Sequence, residues 1–224
     1  MTGRRRTQSD SAGQPAFDRG AAGSKARRFF NDLWSESDPW ELEGSELDQR
    51  RYARQLDLLR DRRYLRALEI GCAGGAFTRQ LAPLCEELLA VDVSEHAIER
   101  ARAGHVGPGV EYRVANVMEL DLVHEGTWDL VVVTETAYYL GWLYPMFDMA
   151  WLAHSLHEST REAGRFLLVN TISSEEGIMS PWLIRSYHDL FRNVGYSVET
   201  EETIRGVKET VKFEILISLF LKAR

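Results

Sequence analysis

The sequence predicts a doubly wound α/β fold, a mostly parallel seven-stranded sheet with helices on both faces and one antiparallel strand near the C-terminus. Three observations carry this. From residue 66 onward, short apolar runs alternate with stretches of helical spacing. Two of the runs, WDLVVVT at 128–134 and GRFLLVN at 164–170, are almost unbroken, the pattern of strands covered on both faces. The last two runs, 196–204 and 211–221, are separated only by a turn near Gly206. Parallel neighbours need a crossover of a dozen or more residues, so this pair is antiparallel.

The elements follow in order. Residues 1–28 are rich in Gly, Ser, Ala and Gln, hold almost nothing to bury, and read as a disordered basic leader. Residues 29–60 form an N-terminal segment. Its front part carries Trp34, Asp38, Pro39, Trp40 and Gly44, and the Pro and Gly argue against a continuous helix. Its rear part, 46–60, places Leu47, Tyr52, Leu56 and Leu59 on one helical face. Residues 61–224 make the main domain. Strands are expected at 67–70, 87–91 and 110–114 ahead of the two buried runs, with helices at 76–84, 94–103, 144–160 and 182–193. Ser94 stands where an N-cap belongs.

Composition narrows the function. The chain has 224 residues, enough to bury a core without staples, and is 44% apolar and 27% charged. Two cysteines, Cys72 and Cys85, form no disulfide framework and suggest a reducing, cytoplasmic setting. No apolar run has the length of a membrane span and no signal peptide is visible. The leader holds seven Lys or Arg against Asp10 and Asp18, yet the net charge is −7, so the body is strongly acidic and repels nucleic acid. Only four of the 27 basic residues are lysine, a bias typical of a GC-rich bacterial genome. No Cys or His pairs show metal-ligand spacing, and no metal is expected.

In a doubly wound sheet the ligand lies beyond the carboxyl ends of the strands. The first such loop, Glu69 to Phe77, has Gly71, Gly74 and Gly75 between strand and helix, where the backbone can turn tightly and a ligand can lie against it. Asp92 closes the next strand, placed to accept from both hydroxyls of a ribose, or alternatively to cap the helix after Ser94. Asn116 and Val117 follow the third strand, where an amide beside an apolar group suits an adenine edge; turn chemistry is the plainer account of the Asn. A dinucleotide fingerprint would have glycine where Ala73 and Ala76 stand, and Glu69 would repel a pyrophosphate. The same acid favours a cationic sulfonium or amino-acid tail, so the adenosine ligand predicted is S-adenosylmethionine.

With LEIGCAGGAF at 68–77, AVDVS at 90–94, WDLVVVTE at 128–135 and GRFLLVN at 164–170, the chain resembles the class I S-adenosylmethionine-dependent methyltransferases over roughly residues 46–224. SDPWELEG at 37–44, the run from 68 to 94, and Glu135 followed by Tyr138 and Tyr139 make it most similar to the nodulation-protein (NodS-like) N-methyltransferases. It departs from the wider superfamily pattern at Ala73, often Gly, and Asn116, often Asp. The resemblance implies a Rossmann-like methyltransferase fold and a small-molecule acceptor, an amino sugar or glycosylated natural product. It implies that Glu69, Gly71, Ala73 and Gly75 shape the cofactor loop and that Asp92 meets the ribose. Val93, Asn116 and Val117 would surround the adenine, with Glu135 near the methyl donor.

On the acceptor side, Glu135 is a candidate to hold the cofactor's amino tail or an ammonium acceptor. Tyr138 and Tyr139 are candidates to close over substrate, or else pack the following helix. Six histidines are present: His96, His105, His124, His154, His157 and His188. None directly follows the fourth strand, where a base for a hydroxyl would stand, which favours an amine. His188 is the reserve candidate for the alternative, an O-methyltransferase acting on a sugar or polyketide hydroxyl. A non-catalytic cofactor-binding scaffold is the remaining reading. Trp34, Trp40 and Asp38 form either a lid over the crevice or an anchor to the outer helices or to a second subunit of a homodimer.

Overall fold

The computed structural model describes residues 18–104, 107–174 and 180–223. Its seven strands are β1 (Tyr64–Ile70), β2 (Cys85–Asp92), β3 (Val110–Val114), β4 (Trp128–Thr134), β5 (Thr160–Ser174), β6 (Tyr196–Lys208) and β7 (Val211–Lys222). They lie in the order β3-β2-β1-β4-β5-β7-β6, parallel throughout except that β7 runs antiparallel to both β5 and β6. The order reverses between β1 and β4, so the crevice for a ligand opens beyond Ile70 and Thr134. The helices are α1 (Arg19–Trp34), α2 (Glu46–Leu59), α3 (Ala76–Leu81), α4 (Glu95–Ala103), α5 (Ala137–Leu143), α6 (Met146–Ser159) and α7 (Pro181–Asn193). No described helix is long and apolar enough to cross a membrane.

Strand alternation divides the core. Leu68, Val131, Val133, Phe166, Leu168 and Phe220 face one way and pack with Leu152 and Leu156 of α6. Ala67, Leu130, Val132, Leu167, Val169 and Ile217 face the other way, against Tyr52 and Leu59 of α2 and Phe77 of α3. Both sheet faces are thereby covered, which explains why β4 and β5 read as continuous apolar runs.

Three local expectations need correction. Residues 19–28, assigned to a disordered leader, form the first part of α1; the rest of the leader, 1–17, lies outside the described residues. Asp18 caps this helix by accepting from the Ala21 amide at 2.9 Å. Its small residues are its packing face: a Cβ on Gly23 would sit 2.4 Å from Glu119 Oε1 and 2.7 Å from Asn116 Nδ2. A glycine there lets α1 lie directly on the loop after β3, so a composition that offers little to bury still docks. The final turn is at Glu209 and Thr210, with Glu209 in the left-handed region at φ 54°, rather than near Gly206. Gly206 belongs to β6, opposite Phe213, and its missing side chain admits Leu47, whose Cδ1 would lie 2.3 Å from a Cβ. α5 was not expected at all. Pro145 separates it from α6, and Tyr138 and Leu140 bury its inner side against Met149 and Tyr187.

Ser94 illustrates how α1 is fastened. Its hydroxyl accepts from the Ala97 amide at 3.2 Å, capping α4, and donates to Asn31 Oδ1 at 2.9 Å on α1. Replacing Ser94 by Ala removes both bonds at a buried position, so we expect a loss of about 1–2 kcal/mol in urea unfolding. Amide exchange in α1 is expected to quicken with it; unchanged exchange there would show that the Ser94–Asn31 bond does not hold the helix.

Candidate active site

A cavity of about 750 Å³, in the range of small-molecule sites, opens beyond the carboxyl ends of β1, β2 and β4. Its near wall is the glycine loop. Gly71 (φ 75°) makes the turn out of β1, with its amide donating to the Val91 carbonyl at 2.8 Å. A Cβ there would stand 2.1 Å from the Thr136 hydroxyl, so only glycine lets β1 and the loop after β4 approach this closely. Ala73 lines the cavity in the left-handed region, φ 51°, a conformation in which an L-residue is strained. Gly75 (φ 79°) precedes α3 and does not line the cavity. A Cβ on it would meet the Tyr112 hydroxyl at 2.7 Å, so its part is to turn the chain.

Asp92 ends β2 on the cavity wall. One carboxylate oxygen accepts the Ala73 amide at 3.0 Å and the other the Ser94 amide at 2.9 Å. Burial nevertheless raises its pKa, and these backbone bonds only partly offset the rise. The carboxylate is oriented by the loops that follow β1 and β2 while each oxygen keeps acceptor capacity. Val93 and Val117 also line the cavity. Asn116 does so too, but its amide is already engaged: the carbonyl oxygen accepts from the Met118 amide at 3.1 Å, and the nitrogen donates to Glu119 at 3.0 Å and Tyr144 at 2.8 Å. The side chain caps the turn at Val117–Glu119, which is turn chemistry.

Glu69 is the most perturbed acid on the wall. It is 3% exposed, Oε2 has no hydrogen-bond partner, and burial pushes its pKa up to about 8, with the Thr78 hydroxyl opposing and Asp92 adding to the rise. A buried carboxyl without a counter-charge is suited to receive a cation.

Glu135, in the left-handed region at φ 52°, lines the far wall. Its Oε1 accepts from Arg51 Nη1 and from the Thr171 hydroxyl, each at 3.0 Å, and its Oε2 accepts the Thr171 amide at 3.0 Å. The carboxylate therefore ties α2 to β5 across the crevice. Arg51 gave no sign of function in the sequence, where it reads as one more charge on an amphipathic helix. It is buried between Glu135 and Asp48, to which Nη2 bonds at 2.7 Å, and it lines the cavity with its Nε unpartnered. These anions hold its pKa above the usual value despite the cost of burial. The available signal was position: Leu47, Arg51, Gln55 and Leu59 fall every four residues on the buried face.

The cavity is roofed by aromatic rings. Trp34, Trp40, Phe30 and Tyr139 all line it, with Trp34–Trp40 at 5.7 Å, Phe30–Tyr139 at 5.1 Å and Trp40–Tyr139 at 6.3 Å between centroids. Tyr138 stacks beside Tyr139 at 4.5 Å, and burial drives its pKa well up. The front segment therefore covers the crevice. Asp38 holds it in a turn by accepting from the amides of Trp40 at 3.1 Å and Leu42 at 2.7 Å. His188 is not part of the site. It lies wholly buried on the inner face of α7, bonded to Ser218 at 2.8 Å, and burial lowers its pKa to about 3. The sequence could not show that the inner face of α7 points into the core away from the crevice. His96, His124 and His154 are exposed, and His157 is half-buried away from the cavity; His105 lies outside the described residues. Among the described residues no group of three His, Cys, Asp or Glu is placed to hold a metal ion.

Residues 25–147, over half of the chain, match the family model of nodulation protein S (NodS). The chain belongs to the NodS family. Glu69, Asp92, Asn116, Glu135 and both tyrosines fall within the matched stretch; β5, β6, β7 and α7 follow it. Nodulation protein S of Rhizobium tropici is 42% identical over 116 residues, 51% of this chain and 48% of that protein. That of Bradyrhizobium diazoefficiens is 43% identical over 106 residues, 46% of this chain and 49% of that protein. The chain thus spans about half the length of the curated NodS relatives it matches. The solved N-methyltransferase NodS from Bradyrhizobium japonicum WM9, in complex with S-adenosyl-L-homocysteine, superposes with a TM-score of 0.73 at 22% identity, over 89% of this chain and 99% of that one. Magnesium protoporphyrin IX methyltransferase from Synechocystis PCC 6803 superposes with a TM-score of 0.69 at 12% identity, over 90% and 100%. These likenesses show that the chain has the NodS fold.

The state of Glu69 has a measurable consequence. Its folded pKa of about 8 lies above the 4.5 of an ordinary glutamate, so folding favours the protonated form. The stability it lends is complete below the ordinary value and is lost as pH climbs from about 4.5 to 8. The ligand-free protein should therefore lose stability relative to Glu69→Gln over that window, by on the order of 1 kcal/mol per pH unit. Urea midpoints of both proteins at pH 5 and pH 8 measure this, and a pH-independent difference would contradict a protonated Glu69.

Proposed function

We propose that this chain is an S-adenosylmethionine-dependent methyltransferase whose acceptor is a small-molecule amine, with an amino sugar first among candidates. The observation that carries the reading is the pairing of a cation-seeking crevice with an aromatic, acidic roof. The wall residues fit the donor. Asp92 offers oriented acceptors to a ribose diol, the unpartnered Glu69 Oε2 suits an ammonium, and the unpartnered Arg51 Nε suits the carboxylate of an amino-acid tail. The donor supplies an electrophilic methyl group on a sulfonium. NodS relatives support this choice: the solved NodS is an N-methyltransferase and holds the demethylated donor.

The acceptor half supports an amine. Phe30, Trp34, Trp40 and Tyr139 line this part with aromatic rings, and Asp38, Glu41 and Glu209 add carboxylates around the same space. Ring faces and carboxylates both favour a cation. An amine arrives largely as its ammonium and must shed a proton before its nitrogen can attack. A nearby carboxylate lowers the cost of bringing the ammonium in, and water at the rim can take the proton. A hydroxyl would need a stronger base, and no histidine lines the cavity among the described residues. Closure by the aromatic roof excludes water from the reacting groups and holds them in register, where alignment alone is worth several kcal/mol.

Incubation with methyl-labelled S-adenosylmethionine and D-glucosamine, followed by mass spectrometry of the product, tests the reading. We expect label on nitrogen; label confined to oxygen would reject the amine. Asp92→Ala should weaken donor binding by at least about tenfold in calorimetry, the scale of losing hydrogen bonds to a charged group. Donor affinity equal to that of the parent would remove the basis for the site.

A further inference from the structure

The β6–β7 hairpin reaches from the far edge of the sheet back to the crevice, and its tip residues Lys208, Glu209, Val211 and Phe213 line the cavity. Lys208 Nζ donates to Asp48 Oδ2 at 2.8 Å and to the backbone carbonyl of Trp40. Asp48 is 4% exposed and is shared with Arg51, which reaches on to Glu135. The hairpin cannot shift easily beneath this contact. Arg54 on α2 holds Glu202 of β6 with two bonds, at 2.5 and 2.9 Å, and Gly206 is pressed flat against Leu47. Lys208 is thus a fixed post standing beside the front segment.

What it holds is the aromatic roof. Trp40 sits at the centre of the ring cluster, within 6.5 Å of Phe30, 5.7 Å of Trp34 and 6.3 Å of Tyr139. Residues 35–44 contain no regular element: they are turns, organised by Asp38 and passing through Glu41 in the left-handed region at φ 50°. Such a segment has little intrinsic stiffness, so bonds from outside fix where it rests: Gln49 of α2 donates to the Leu42 and Glu43 carbonyls at 3.2 Å each, Arg79 of α3 pairs with Glu43, and Lys208 alone among these holds the Trp40 backbone. Both left-handed glutamates at the mouth, Glu41 on this segment and Glu209 on the hairpin tip, flank the Lys208 contact in sequence. Strained backbone of that kind persists only where the surroundings over-determine it.

We propose that Lys208 is a positioning residue that locks the front segment shut over the acceptor half of the cavity by holding the Trp40 carbonyl. This rests on the amine-transfer reading for its consequence in catalysis, though not for the lock itself. Lys208 lies beyond residues 25–147, so the lock joins the family-matched front of the chain to its C-terminal hairpin.

The test compares Lys208→Met, Lys208→Arg and Trp40→Ala with the parent. Met keeps the stem and removes the donor; Arg keeps a donor at similar reach. With S-adenosylhomocysteine bound, hydrogen exchange at the amides of Trp40, Glu41 and Leu42 should quicken at least tenfold in Lys208→Met and return towards parent values in Lys208→Arg. With D-glucosamine as acceptor, Lys208→Met should raise KM tenfold or more while kcat changes less than threefold and S-adenosylhomocysteine affinity stays within threefold. Trp40→Ala should raise KM similarly, and the double variant should be no worse than either single one. Unchanged amide exchange in Lys208→Met overturns the lock, as does a fall in donor affinity matching any rise in KM. Quickened exchange in a protein that methylates no amine sustains the lock and defeats only the amine reading.

Discussion

The architecture of the crevice depends on one buried ion pair, Arg51 with Glu135. Glu135 stands at the end of β4, where the strand order turns back, and its backbone is held left-handed so that both oxygens reach Thr171 on β5. With its remaining capacity it takes the Arg51 guanidinium, which in turn orders Asp48 and, through Asp48, the hairpin tip. Breaking such a pair on one side leaves an uncompensated charge in a desolvated place, a cost of several kcal/mol. Four parts of the chain that are remote in sequence are thereby fixed relative to one another. The cavity is the space left between them.

This explains why the two halves of the site are built from different materials. The wall made by the glycine loop and Asp92 is backbone geometry. Gly71 at φ 75°, Ala73 at φ 51° and two amides bonded to Asp92 create a surface against which a flat ligand can lie. The roof is side-chain matter, rings and carboxylates carried on turns and on a hairpin tip. Backbone geometry leaves local marks in sequence, because only particular residues tolerate it. Side chains gathered from distant elements leave weaker ones: Trp34, Trp40 and Tyr139 stood out by residue type, whereas Arg51 and Lys208 did not.

Legibility follows that division. The sheet, its single antiparallel strand and the Gly71 and Asp92 positions could be read from apolar runs and from glycines placed at strand ends, since each is a short-range constraint. Gly206 and the small residues of α1 were misread for a shared reason. A missing side chain can mark a bend, a flexible tail or a close approach, and only the partner (Leu47 in one case, Asn116 and Glu119 in the other) decides which. His188 and Arg51 were misjudged in opposite directions by the same omission. Both sit on the buried face of an amphipathic helix, but α7 turns that face to Ser218 in the core, while α2 turns its face partly to the crevice. Helical periodicity reports burial and is silent about what lies on the other side.

Asn116 carries that point into the chemistry. Its amide has two N–H groups and a carbonyl with two lone pairs; Glu119 and Tyr144 take both N–H groups, and the Met118 amide takes one lone pair. The partners come from the turn after β3 and from the start of the segment joining α5 to α6, and Gly23 closes over them from α1. Only that second lone pair is left on Asn116, whereas both oxygens of Asp92 and the unpartnered Oε2 of Glu69 keep capacity. On this wall the unused polar capacity is therefore concentrated in the acids at the ends of β1 and β2, rather than in the turn after β3.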